Sequence, residues 1–392
     1  MWFFKSPDII FGEESLGYLE QLEGRRAFNV PDAVVVRLGH AARVQAALQV
    51  AGFEVSVFDR VEPDPSIETA RAGAAAMLEF RPDWVVGLGG GSSLDAAKAM
   101  WILYERPDMD PEGISPIEPL HLRRKAHFLA IPTTSGTGSE ATWALVLTNV
   151  AERRKIGLGS REATADLALV DPSFVMSLPP RVTADTGMDA LTHAVEGFTC
   201  LWHNDFSDGL CLKAAQLIFE FLPRAYRNGD DVEARTKMHN AATIAGLGFG
   251  NSMASLAHGL GHALGGVFHV PHGRGVSLFL PYAIEYCARG EPGMAVATRY
   301  GELARFLGLP AATEAEAAAN LAAAIRQLQL ALEQPRTLEA CGIARADLDR
   351  EMSLLVFNAG NDNQTITSTR IPDDVDMRKL FEYAHEGKSI DF

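Results

Sequence analysis

The texture of the chain changes near residue 180. Before that point short β-branched runs alternate with helical stretches, the pattern of a parallel sheet covered by helices. Ala33-Val34-Val35-Val36 reads as a buried strand, His40 to Gly52 as a helix ended by glycine, and Glu54 to Phe58 as the next strand. Ser66 to Phe80 reads as a helix, Trp84 to Leu88 as a strand, Ser93 to Tyr104 as a helix and Phe128 to Ile131 as a strand, with Ala144 to Thr148 and Ala168 to Val170 completing the sheet. After Leu178-Pro179-Pro180 the period-2 runs disappear and apolar residues recur at helical spacing. The expected organisation is therefore an α/β domain over 1–180 with a parallel sheet and an all-α domain over 181–392. Ala311 to Glu333 is expected to be solvent-facing helix.

Composition narrows the partners. A formal charge of -15 argues against nucleic acid, because phosphate binding depends on Lys and Arg to displace counterions. Cys200, Cys211, Cys287 and Cys341 are scattered with no CxxC, which speaks against thiolate zinc and a disulfide framework and for a reducing, cytoplasmic setting. Met1 to Pro7 shows no basic-then-apolar leader, and no stretch approaches the roughly 18 uninterrupted apolar residues of a membrane span.

The strand at Trp84 to Leu88 runs directly into Gly89-Gly90-Gly91-Ser92-Ser93-Leu94-Asp95-Ala96-Ala97-Lys98. Bare glycine backbone and the positive end of a helix attract a phosphate, so the turn reads as a pyrophosphate cradle, although it is neither GxGxxG nor a Walker sequence. The alternative is a tight turn in which Ser92 caps the helix and Asp95 and Lys98 form a surface pair. A second small-residue loop, Pro132 to Glu140, follows the strand ending at Ile131. Two such loops at the carboxyl ends of strands in one open sheet are where a dinucleotide would lie.

Potential metal ligands crowd the second half. Asp189 and His193 are i and i+4, His258 and His262 repeat that spacing, and His269 and His272 follow. Five of the eleven histidines fall at 193, 258, 262, 269 and 272, and neutral imidazoles with one carboxylate suit Fe(II) or Zn(II). Separate helix-face and turn histidines are the alternative.

Taken together, Gly89-Gly90-Gly91-Ser92 with Asp95 and Lys98, Pro132 to Glu140, Gly187-Met188-Asp189 to Glu196, His258-Gly259-Leu260-Gly261-His262 and Pro271-His272-Gly273 resemble the iron-containing (group III) alcohol dehydrogenases, within the dehydroquinate-synthase-like superfamily. The resemblance implies an N-terminal Rossmann-type domain, a helical C-terminal domain and a cleft holding nicotinamide and metal. By position it implies Asp189, His193, His258 and His272 as ligands of Fe(II), with Zn(II) compatible. It implies His262 near metal and substrate without being a principal ligand, a place from which an imidazole can relay a proton; His269 has no counterpart role and reads as a structural or supporting residue. For NAD or NADP it implies pyrophosphate contacts from Gly90, Gly91 and Ser92, with Asp95, Thr133, Thr134 and Thr142 lining the site and Lys155 reaching the ribose. Phe249 and Trp143 are expected at the substrate pocket.

Two departures bear on specificity. Relatives preferring NAD end the first strand with an Asp; that strand, placed at Ala33 to Val36, is followed here by Arg37-Leu38-Gly39, which leaves NADP open, although Asp64-Pro65 restores some repulsion. The C-terminal Asp-x-Cys-Thr-x-x-Asn-Pro-Arg element reads Asp362 to Arg370 without its Cys, Asn and Pro. The expected reaction is hydride transfer between nicotinamide C4 and the carbinol carbon of an alcohol whose oxygen the metal holds. The rivals are a maleylacetate-type reductase, which lacks the ligand set, a lyase with internal NAD redox, for which only Arg274 is at hand in the block around it, and a non-catalytic binding protein. The resemblance implies at least a homodimer, with a small alcohol or aldehyde as partner and neither nucleic acid nor membrane.

Overall fold

The computed structural model describes residues 3–290 and 296–392, and the chain divides into two compact units, Met1–Leu178 and Pro179–Phe392. The first contains β1 (Asp8–Phe11), β2 (Arg26–Pro31), α1 (Ala33–Arg37), α2 (His40–Val50), β3 (Glu54–Val57), α3 (Ile67–Phe80), β4 (Trp84–Gly89), α4 (Gly91–Glu105), β5 (His127–Pro132), β6 (Ala144–Asn149), β7 (Arg154–Gly159) and β8 (Leu167–Val170). Six strands form one parallel sheet in the order β1-β8-β5-β4-β2-β3.

Alternation along the strands feeds two cores. Phe28, Val30, Val85 and Phe128 point to the layer of α3 and α4, whereas Ala27, Val86, Leu88, Leu129 and Ile131 point to that of α2. α4 is the most enclosed helix of this unit, and its Trp101 ring stacks on Phe128 with centroids 5.3 Å apart.

Two expectations fail here. Ala33 to Val36 is not a strand: Asp32 Oδ1 accepts from the Val34 and Val35 amides at 2.7 and 2.8 Å, and this N-cap turns the chain into α1. The valines carry a β preference that the cap overrides, and only Val35 is buried. The first central strand is instead β2, so the residue at its carboxyl end is Asp32. Ala144 to Thr148 is a strand, but β6 pairs antiparallel with β7 in a separate ribbon rather than completing the sheet.

The second unit is helical: α5 (Pro180–Thr199), α6 (Asp205–Arg227), α7 (Val232–Gly250), α8 (Leu256–Phe268), α9 (His272–Ala288), α10 (Val296–Phe306), α11 (Glu314–Ala331), α12 (Arg345–Gly360) and α13 (Asp374–Glu386). α5 and α9 run through its core. α11 is one helix, and it is not simply solvent-facing, because Leu321, Ala322, Ile325 and Leu328 are buried.

Candidate metal centre and cofactor loops

Asp189, His193 and Glu196 lie at i, i+4 and i+7 on α5, on one helix face, and all three are buried. His258 sits in the first turn of α8 and His272 opens α9. Two glycines let these helices meet. A Cβ on Gly261 would lie 2.9 Å from the Val276 nitrogen of α9, and one on Gly273 only 2.3 Å from the Asp185 carbonyl oxygen of α5. A side chain at 273 would push His272 away from α5.

One donor atom from each of Asp189, His193, His258 and His272 lies within 4.8 Å of the others. Asp189 Oδ1 is 3.9 Å from His193 Nε2, 3.9 Å from His258 Nε2 and 3.4 Å from His272 Nε2. Asp189 Oδ1 and His258 Nε2 are buried with no hydrogen-bond partner, a condition that costs about 1–3 kcal/mol per group. Donors about 2.0–2.1 Å from a shared ion stand roughly 3.4 Å apart, so the quartet is sized for one metal, and its donor set suits Fe(II) or Zn(II). Burial works to raise the Asp189 carboxyl, but the imidazoles of His193, His272 and His258 prevail and hold it below the ordinary carboxylate range.

Two carboxylates stand behind the imidazoles, and sequence reasoning missed both. Glu196 Oε2 is 2.6 Å from His258 Nδ1. Burial presses the His258 ring toward neutrality, yet the Glu196 bond raises its pKa overall. The signal for Glu196 was present, since it follows His193 by three residues on the same face. Asp362 Oδ2 is 2.9 Å from His262 Nδ1, a partnership between residues 100 apart that no local pattern announces. His262 lies outside the donor quartet but against it, its ring stacked on His272 at 5.2 Å. Phe249 stacks on His193 with centroids 3.9 Å apart and planes 7° apart. His269 ends α8 in the left-handed conformation at φ 57, a structural cap.

In the first unit the turn between β4 and α4 has Gly89 at φ +151 and Gly90 as an N-cap that no side chain serves. Ser92 is not the cap; its hydroxyl accepts from the Asp64 amide at 3.3 Å. A Cβ on Gly91 would meet Thr137 at 2.8 Å and one on Gly90 would meet Thr134 at 3.2 Å, so the two small-residue loops touch. Thr133 joins them through its amide, donated to Gly89 O at 2.9 Å. The uncapped helix end beside these loops suits an anion.

Asp95 and Lys98 are not a surface pair, since Lys98 lies in the interior and Asp95 is half-buried. Lys98 is wholly buried, its Nζ donating to the carbonyls of Ser139, Thr142 and Ala144 at 2.7, 3.0 and 2.8 Å and to the hydroxyls of Ser139 and Thr142. Asp95 accepts from Ser139 Oγ at 2.5 Å and from the Val146 amide at 2.9 Å. Asp95 and Thr142 thus hold the second loop from within, because α4 is covered by β6 on that side. Lys155 is ion-paired with Asp64 at 2.6 Å. Trp143 precedes β6 and packs over Gly159, where a Cβ would lie 2.7 Å from its ring. Asp32, at the end of β2, also accepts from Ser93 Oγ at 3.2 Å. The missing carboxylate of the sequence reading is therefore present, displaced by the misplaced strand.

Comparison with known proteins agrees along the chain. Residues 6–172 match the family described as "Iron-containing alcohol dehydrogenase", and residues 183–385 the family described as "Fe-containing alcohol dehydrogenase family, C-terminal". The chain is 38% identical over 394 residues, covering 100% of both, to an NADPH-dependent butanol dehydrogenase of Clostridium saccharobutylicum. It is 36% identical, over 95% of this chain and 96% of the other, to a 1-propanol dehydrogenase of Citrobacter freundii. Among solved structures, an alcohol dehydrogenase from Oenococcus oeni superposes with a TM-score of 0.91 at 29% identity, covering 98% of this chain and 100% of that one. A 1,3-propanediol oxidoreductase gives 0.89 at 28% identity over 98% and 100%. With both halves matched and a donor quartet chemically suited to iron, the chain belongs to the iron-containing alcohol dehydrogenase family and is an NAD(P)-linked, metal-dependent alcohol oxidoreductase.

Proposed function

We propose that Asp189, His193, His258 and His272 hold one Fe(II), with Zn(II) able to replace it, and that the protein interconverts short primary alcohols and their aldehydes with NAD(H). The convergence of four donors, two of them buried without a hydrogen-bond partner, carries this reading. Residues 181–392 act as the metal and substrate domain and 1–180 as the dinucleotide domain. When bound, the metal supplies a Lewis acid for the alcohol oxygen, and nicotinamide C4 takes up or returns the hydride.

The chain's own groups do the rest. Phe249 covers a face of His193 and keeps water from it. His262, fixed at Nδ1 by Asp362, is left with Nε2 to take a proton from the alcohol and pass it on. Gly90, Gly91 and Ser92 offer the helix end to the pyrophosphate, with Thr133 and Thr134 beside it. Lys155, steadied by Asp64, is assigned to the ribose. Asp32, at the end of β2, is assigned to the adenosine ribose, and its charge would repel a 2'-phosphate, which favours NAD over NADP.

The names of the relatives, acting on butanol, 1-propanol and 1,3-propanediol, support a short-chain substrate. A lyase with internal redox is disfavoured because Arg274 is already held by Asp185 at 2.8 Å, and a metal-independent reductase because the quartet is complete. Four unpaired cysteines support a cytoplasmic setting, and among the described residues no helix is long and apolar enough to cross a membrane. The edge strand β1, with Phe11 exposed, supports a homo-oligomer.

The test is a panel of these alcohols and their aldehydes, with NAD(H) and NADP(H), on anaerobically Fe(II)-loaded protein. Turnover with short alcohols and more efficient use of NAD is expected. Failure on every short alcohol and aldehyde would overturn the substrate class, and preference for NADP would overturn the role of Asp32.

A further inference from the structure

We propose that Glu196 is a positioning residue for the metal, one that fixes His258 in the tautomer protonated at Nδ1 and so keeps the Nε2 lone pair turned toward Asp189. This rests on the reading of the quartet as a metal site. Glu196 is 3% exposed and makes three contacts, all with donors or ring nitrogen: the Ser255 amide at 2.9 Å and His258 Nδ1 at 2.6 Å on Oε2, and the Ala257 amide at 2.6 Å on Oε1. Each oxygen already faces an N–H, so a carboxyl proton would be forced against a donor. The group is therefore a carboxylate, an acceptor only, and His258 Nδ1 must donate to it. In the neutral ring, the form that can bind a metal, the lone pair is then on the other nitrogen, the buried Nε2 that lacks a hydrogen-bond partner 3.9 Å from Asp189 Oδ1.

The same carboxylate caps the start of α8 through the Ser255 and Ala257 amides. One side chain thus ties the helix that carries His258 to the helix that carries Asp189 and His193, and orients the ring as well. Carboxylates behind metal-bound imidazoles typically contribute about 10–100-fold in metal affinity.

Glu196→Gln separates these roles. A carboxamide has one accepting end. With its oxygen on the Ala257 amide, its NH2 opposes the Ser255 amide, which weakens the cap, and faces His258 Nδ1, which must then accept, moving the ring proton to Nε2 where the metal should bind. With the amide reversed, two N–H groups oppose each other at Ala257.

The measurement is titration of metal-free protein with Co(II), followed by its visible absorption, for unmodified protein and the Glu196→Gln variant, with folding checked by circular dichroism. The expected result is a one-equivalent endpoint for the unmodified protein and about 10–100-fold weaker binding for the folded variant. A variant that loses thermal stability but binds Co(II) as tightly as the unmodified protein would show a helix cap alone and overturn the proposal. Absence of Co(II) binding by the unmodified protein would instead overturn the metal site beneath it. Should Glu196→Gln fail to fold, two-bond proton–nitrogen spectra of the Zn(II)-loaded unmodified protein decide the matter: a proton on His258 Nδ1 is expected, and its absence there would overturn the tautomer.

Discussion

Replacing Lys98 by Met keeps the aliphatic stem of a fully buried residue and deletes only the ammonium. Three carbonyls, of Ser139, Thr142 and Ala144, lose a donor that water cannot replace in so enclosed a place, at about 1 kcal/mol or more each. Asp95 keeps its bonds to Ser139 and Val146 but loses the positive charge beside it. Breaking a buried pair from one side costs about 3–5 kcal/mol, in line with that count. With a urea slope of about 2 kcal/mol per molar, the unfolding midpoint of the α/β unit, followed by tryptophan fluorescence, should fall by roughly 1.5–2.5 M.

Asp95→Asn in the same protein should recover part of the loss, with a coupling of about 1 kcal/mol or more. Burial pushes the Lys98 amine down to about 8 from 10.5, against the pull of Asp95 and Glu140. Between those values the unfolded chain holds a proton that the folded chain has released, so stability contributed at this position rises with pH. The gap between unmodified protein and Lys98→Met should therefore widen across that window, by at most about 1.4 kcal/mol per pH unit. A midpoint that barely moves would refute the account of Lys98 holding the loop, and a gap that narrows from neutral to alkaline pH would refute the lowering of its amine by burial.

Asp32→Asn keeps an N-cap acceptor and removes the charge, so kcat/KM for NADP should rise about tenfold, as comparison of the two cofactors would reveal; no change would remove Asp32 from cofactor choice. His262→Asn should lower turnover by about 10²–10⁴ while metal content, measured by elemental analysis, stays at the unmodified level, and loss of metal would move His262 into the ligand set. Gly273→Ala should release the metal without touching a ligand, since its Cβ would lie 2.3 Å from the Asp185 carbonyl oxygen; full metal retention would show that α5 and α9 can part without cost to the site.

Legibility in the sequence followed the range over which each feature is determined. Asp189 and His193 share a helix face by spacing alone, and the glycines flanking His262 and His272 mark where α8 and α9 touch their neighbours. Strand β4 was legible because it is buried along its whole length and ends in glycine. The valines after Asp32 misled because a run of β-branched residues says nothing of the cap before it, and that one error shifted the strand and hid the carboxylate at its end. The interior position of Lys98 was illegible for a different reason. α4 is covered by the sheet on one side and approached by β6 on another, so polar residues on it do not mark a solvent face. Asp362 meets His262 only through the folding of α12 against α8, a contact no window of sequence contains.

The most direct test of the metal centre is turnover measured as metal-free protein is loaded anaerobically with Fe(II), with bound iron counted in the same samples. Activity that climbs in proportion to bound iron and levels off at one ion per chain is the predicted result. Full activity in rigorously metal-free protein, or activity that ignores the iron bound, would contradict a reaction built on Asp189, His193, His258 and His272.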